Sequence, residues 1–172
     1  MFLNHIKNFW LNKLLINKLY QSKPSTLNTT IQSVGLLIDA SNFEFKEQLL
    51  SELVANGINE QKVSVLIYLD KVKKNEVFNY PTFSFNQLNW KGDFTTTIVQ
   101  DFVQTKFDLL ISYYETEKIP LLLITSQSKA QFKAGFSVID KRLNHLMITT
   151  QVENFKVFAH ELIRYLKILN KI

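Results

Sequence analysis

The chain contains no cysteine. That absence excludes disulfides, thiolate metal sites and a cysteine nucleophile. Glycine and proline are scarce, at four and three residues, so there is little material for long irregular loops. None of the glycines belongs to a GxGxxG or GxxxxGK[ST] sequence, the loops that cradle phosphates in dinucleotide-binding and P-loop folds. Gly35 lies inside an apolar run rather than after one. No GxSxG nucleophile elbow is present. The three histidines, His5, His145 and His160, are far apart and never spaced HxH or HxxxH, so no metal is expected. No run approaches the roughly 18 consecutive apolar residues of a membrane-spanning helix. The most uneven absence is of acid. The first carboxylate is Asp39, and Lys7, Lys13, Lys18 and Lys23 precede it. That stretch therefore carries +4 of the chain's formal net charge of +5.

The same acid-free stretch is rich in large apolar residues. Residues 2–21 lack glycine and proline and read as a helix. At 100° per residue, Phe2, Leu3, Ile6, Phe9, Trp10, Leu14 and Tyr20 share one broad face. Leu11, Leu15 and Leu19 form a second stripe on the side that also carries Asn4, Lys7, Asn8, Asn12 and Lys18. A helix that is apolar on two sides has two surfaces to touch. Lysines and asparagines interrupt the apolar residues every few positions and no small-residue cleavage site follows, which differs from a secretory signal. A cytoplasmic protein is expected, able to attach to the periphery of a membrane. Residues 22–32, with Pro24 and several Ser, Thr and Asn, read as a linker.

Residues 33–172 read as one domain. At 46% hydrophobic and 20% charged, the composition is that of a globular chain rather than a disordered one. SVGLLID (33–39), VSVLIYL (63–69) and FDLLISY (107–113) are continuous apolar runs, as for strands buried on both faces. Short strands are expected at 82–85, 132–136 and 146–150. Helical spacing marks 45–54, closed by Gly57, then 94–105 and 152–169. The tract 117–129 is ambiguous, since LLLIT suits a strand, but Pro120 near its start favours a helix. The alternation predicts an α/β fold: a single Rossmann-like domain, a mainly parallel sheet with helices on both faces, preceded by the amphipathic helix.

Ligands of open α/β sheets bind beyond the carboxyl ends of the strands. That rule selects Asp39, Ser41 and Asn42 after the first strand, Asp70 after the second and Glu115 after the third. The competing role for Asp39 and Ser41 is to cap the next helix. DKRLNH (140–145) is the densest polar cluster. Its Arg142 suits a bidentate anion, and its His145 suits either proton transfer or a structural hydrogen bond. Lys71, Lys73 and Lys74 near Phe78, Tyr80, Phe83, Phe85 and Trp90 suggest either base stacking or aromatics packed under a loop. No arrangement specifies a catalytic residue or a cofactor.

The start MFLNHIKNFWLNKL, the strand VGLLID, the segment KKNEVFNYPTFSFNQLNWKG, the tract FDLLISYYETEKIPLLLITSQSKAQFKAGF and the motif DKRLNHLMI resemble an uncharacterised family of Bacteroidota-type bacteria over essentially the whole chain. That resemblance implies a bacterial cytoplasmic protein and no particular chemistry. The order FDLLI, helix, Lys129 and FKAGF is also similar to the N-terminal half of heptosyltransferase-like glycosyltransferases. Those enzymes use a second Rossmann-like domain that a chain of this length does not hold, so the likeness supports the fold and argues against the activity.

Two expectations follow. The first is a non-catalytic binding or assembly protein that docks through Lys7, Trp10, Leu11, Lys13, Leu15, Lys18 and Leu19 onto a protein, an RNA or an anionic membrane. The second is a small-ligand or enzymatic domain whose site gathers Asp39, Ser41, Asn42, Asp70, Glu115, Arg142 and His145 in one pocket. Separate from both is the possibility that the N-terminal helix only completes the core or a homodimer.

Overall fold

The computed structural model describes residues 2–20, 30–72 and 78–172, with the side chains of 2–6, 8 and 18–20 outside that description. Residues 22–29 of the linker expected at 22–32, Lys73 and Lys74, and the side chains of Lys18 and Leu19 lie outside the described residues. Six strands form one sheet: β1 (Val34–Asp39), β2 (Val63–Tyr68), β3 (Thr82–Phe83), β4 (Leu109–Tyr113), β5 (Phe132–Phe136) and β6 (Leu146–Ile148). Their spatial order is β3-β2-β1-β4-β5-β6, and every pairing is parallel. The α-helices are α1 (Phe2–Tyr20), α2 (Lys46–Ala55), α3 (Thr97–Gln104), α4 (Ile119–Gln127) and α5 (Phe155–Ile168).

The order reverses direction at β1. One half winds outward through β2 and β3, the other through β4, β5 and β6. Right-handed crossovers then put α2, between β1 and β2, and α4, between β4 and β5, on opposite faces. α2 packs against α5 on one face, and α3 packs against α4 on the other. β1 and β4 lie at the centre, and all but Asp39 of their residues are buried. That explains their unbroken apolar sequences, since a central parallel strand has no solvent side. On the α2–α5 face, Tyr113 meets Phe43, Phe136 and Phe158 at ring-centroid distances of 5.1, 5.1 and 4.9 Å.

The ambiguous tract 117–129 is a helix, with Pro120 in its first turn. The reason it resembled a strand is now visible. Pro120 to Thr125 are all buried, because α4 lies between the sheet and α1. A helix covered on both sides is apolar all round and loses its amphipathic signature. α1 supplies the outer cover, and its Leu11 and Leu15 enter the core at 0% and 5% exposure. The helix expected from residue 94 starts at Thr97, because Phe94 instead bridges Leu88 and is buried.

Candidate functional site

The strand ends converge on Lys118. β1 delivers Asp39 and then Ser41. β2 delivers Tyr68 and then Asp70. Lys118 sits at the N-cap of α4, after the loop that leaves β4. Its Nζ lies 2.8 Å from Asp39 Oδ2, 2.8 Å from Asp70 Oδ2 and 3.1 Å from Ser41 Oγ. The Ser41 backbone N–H donates to Asp39 Oδ1 at 3.0 Å, and that of Asp70 donates to Ser41 Oγ at 3.0 Å. The ammonium also stands 5.2 Å from the centre of the Tyr68 ring. Burial pulls the Lys118 pKa down, but hydrogen bonds and charge from Asp39 and Asp70 outweigh it and raise the pKa above the ordinary lysine value. For Asp70 burial pushes upward, and the Lys118 bond and charge, helped by Tyr68 and Ser41, win and lower it.

Neither Asp39 nor Ser41 caps a helix: α2 starts at Lys46 behind Phe45, without a side-chain cap bond. Sequence reasoning missed Lys118. Its signal was an unfavourable one, a lysine at a helix N-terminus, where the dipole repels cations. Such a position calls for carboxylates nearby, and Asp39 and Asp70 provide them.

Asp39, Asn42, Asp70 and Glu115 line one cleft of about 190 Å³, and Ser41 is bonded into its wall. Glu115 Oε2 accepts the Val152 N–H at 3.0 Å, which ties the loop after β4 to the approach to α5. A second cleft of about 410 Å³ runs toward α1, lined by Asn12, Phe85 and Glu117 among others, and Lys118 and Asp70 border both. Arg142 and His145 line neither. The Arg142 guanidinium is held by Asp140, with Nε 3.0 and 3.2 Å from its two oxygens. His145 stacks on Phe132 at 5.3 Å and accepts the Lys133 N–H on Nδ1 at 3.0 Å. Asp140, Arg142 and His145 lie on the connection from β5 to β6, away from the two clefts. Among the described residues no group of three or more His, Cys, Asp or Glu is placed to hold a metal ion.

A polar layer also lies between β4, β5 and α4. Thr125 Oγ1 is 3.1 Å from Ser112 Oγ and 2.8 Å from the Tyr114 hydroxyl. Lys133 Nζ donates to the Thr125 carbonyl at 2.6 Å. Burial, with Lys129 nearby, pushes the Lys133 pKa down to about 8. The buried Asn144 amide has no hydrogen-bond partner among the described residues and rests over Gly135.

The residues expected to dock divide by side. Leu11 and Leu15 are buried against the domain itself, which corrects their assignment to a partner. Lys7 donates to the Leu88 carbonyl and lies 4.5 Å from the centre of the Phe85 ring, so it too is engaged within the domain. Of the broad face, Phe9 and Trp10 turn outward at 68% and 52% exposure, as does Ile16 at 46%, while Leu14 packs against the core. Lys13 is exposed among them, with its Nζ 6.0 Å from the Trp10 ring centre. Leu11 and Leu15 belong to the stripe that enters the core where α1 packs against α4.

A family model described as a family of unknown function (DUF6913) matches residues 7–169, and the chain belongs to that family. No curated protein matches the chain. No solved structure matches it either.

Proposed function

We infer that this member of the family is a non-catalytic docking module, which attaches to its partner through the outward face of α1. One observation carries the reading: a helix already anchored by Leu11 and Leu15 still presents Phe9, Trp10 and Ile16 to solvent. Large aromatic groups are the residues that anchor interfaces. Their exposure on a structured helix has no stabilising role within the domain. The strand-end cluster supports the same view from the other direction. Its lysine is neutralised by two carboxylates and held protonated, so it offers neither a base nor a nucleophile. The resemblance of its tracts to Bacteroidota-type sequences supports a bacterial setting.

The test uses substitutions and not deletion, because removing α1 uncovers α4. Tagged wild type and a Phe9→Ser/Trp10→Ser/Ile16→Ser variant are compared by gradient fractionation of cell lysate. The reading expects the wild type to travel with a larger particle or membrane and the variant to stay at the top as folded protein. Identical profiles for the two proteins would remove it.

One observation favours a second reading. Asp39, Asn42, Asp70 and Glu115 share a cleft at the point where the sheet order reverses, the place where such folds bind ligands. Its carboxylates suit a cationic or hydroxyl-rich small molecule that takes Asp70, the more exposed arm, away from Lys118. A thermal-shift screen of amines and sugars against wild type and Asp70→Asn checks it. Stabilisation of the wild type alone supports the cleft, and no shift with any compound rejects it.

A further inference from the structure

We propose that the larger cleft, between α1 and the start of α4, binds a neutral sugar. This rests on the second reading above, that a strand-end cleft holds a small molecule, and it names both the cleft and the chemistry. The cleft measures about 410 Å³, within the range of small-molecule sites. Its walls come from four parts of the chain. α1 gives Asn12, and the segment after β3 gives Phe85. β2 and its continuation give Tyr68 and Asp70, and the loop into α4 gives Glu117 and Lys118.

Charge decides what can enter. An anion finds no donor on Lys118. An ammonium has three N–H groups, and Asp39, Asp70 and Ser41 already accept from it at 2.8, 2.8 and 3.1 Å. The Asp70 and Glu117 carboxylates repel an anion as well. A cation finds the aromatic faces taken. The Lys118 ammonium stands 5.2 Å from the centre of the Tyr68 ring, and the Lys7 ammonium stands 4.5 Å from that of Phe85. A second cation on those rings would meet like charge at both walls.

A neutral molecule escapes both objections if its rim donates and accepts hydrogen bonds and one of its faces is apolar. The hydroxyl groups of a sugar do the first. Asp70 and Glu117 can accept from them, and the Asn12 amide can donate and accept. The half-buried Phe85 ring and Ile119 supply the apolar wall that the C–H face of a sugar ring requires. The polar groups are also fixed in advance. Asp70 Oδ2 is bound to Lys118, its backbone N–H donates to Ser41 Oγ at 3.0 Å, and Glu117 Oε1 accepts the Asp140 N–H at 2.9 Å. Leu11 and Leu15 in the core fix the helix that carries Asn12. Groups held this way lose little to ordering when a ligand arrives.

The experiment is saturation-transfer NMR on the full chain with glucose, galactose, mannose, maltose and lactose, beside the diamine putrescine. The expected result is transfer to the ring protons of at least one sugar and none to putrescine. Binding should be about tenfold weaker for Asn12→Ala and for Phe85→Leu. It should be unchanged for Asn42→Ala, since Asn42 lines the smaller cleft and not this one. Asn12 is exposed, so its variant should keep the wild-type melting temperature. Transfer to none of the five sugars overturns the assignment, as does sugar binding that Asn12→Ala and Phe85→Leu leave unchanged. If sugar binding falls in Asn42→Ala instead, or if putrescine alone binds, this assignment falls while the second reading stands. If neither the sugars nor putrescine bind, both fall.

Discussion

At the scale of single residues, two glycines and one lysine carry the sharpest consequences. A Cβ on Gly35 would stand 2.8 Å from the Phe107 ring and 3.1 Å from Phe102. A Cβ on Gly135 would stand 2.6 Å from the Asn144 amide and 3.1 Å from the Ser112 carbonyl oxygen. Overpacking of this kind costs about 1–3 kcal/mol. Gly35→Ala is therefore expected to lower unfolding stability by that amount in urea titration. Lys133 gives a signed pH dependence. Its pKa is about 8 in the fold, against about 10.4 in the unfolded chain. Between those values the unfolded state binds more protons, so stability rises with pH. Below about pH 8 the full cost of burying the ammonium is present, and above about pH 10 it is gone. Denaturation of wild type and Lys133→Met from pH 7 to 10 should show the wild type gaining on the variant as pH rises. A constant difference would mean that the ammonium is solvated.

At the scale of elements, the network of Asp39, Lys118 and Asp70 fastens the start of α4 to the ends of β1 and β2. Its two arms are unequal, since the Asp39 side chain is 12% exposed and that of Asp70 is 53% exposed. Removing one partner from a shielded pair leaves an uncompensated charge and costs several kcal/mol, whereas exposed pairs contribute about 0–1 kcal/mol. Asp39→Asn is therefore expected to cost about 2–3 kcal/mol and Asp70→Asn less than about 1 kcal/mol, read from chemical denaturation. Equal losses would contradict this division. The lowered Asp70 pKa contributes stability that is present above the unfolded value near pH 4 and lost as pH falls through the folded one. The raised Lys118 pKa contributes stability that is present below about pH 10 and lost as pH rises through its folded value. The same scale separates the two sides of α1. Leu11→Ala creates a cavity over α4 and should cost about 2–5 kcal/mol, while Trp10→Ser and Ile16→Ser should change stability by no more than about 0.5 kcal/mol.

At the scale of the molecule, the sequence made the layer architecture readable and left the roles of its surfaces open. VGLLID and FDLLISY announced the central strands, whose burial on both faces leaves them almost wholly apolar, whereas VSVLIYL, expected to be as buried, leaves Ser64 exposed and Val63 and Val65 half-buried at the start of β2. LLLIT was ambiguous for the same reason, since a helix under α1 is as apolar as a strand. The two apolar sides of α1 were legible, but which one faces the domain was not. Periodicity gives the stripes of a helix and not which of them a neighbouring element covers. Asp39, Ser41 and Asp70 were found by the strand-end rule. Their partner Lys118 was missed because an N-cap lysine is noticed only when its carboxylates are placed around it. Arg142 and His145 drew attention by sequence density, and the fold places them on the connection between β5 and β6, apart from the Asp39, Asp70 and Glu115 cleft.

The central claim is that the outward face of α1 meets a partner in the cell while its inner face holds the domain together. The most direct measurement replaces Ile16 with a photo-crosslinking phenylalanine analogue and irradiates intact cells. A second protein carries the analogue at Val157, an equally exposed apolar position on α5. The account predicts an adduct from position 16 and none from position 157. No adduct at position 16, or the same adducts from both positions, would contradict it.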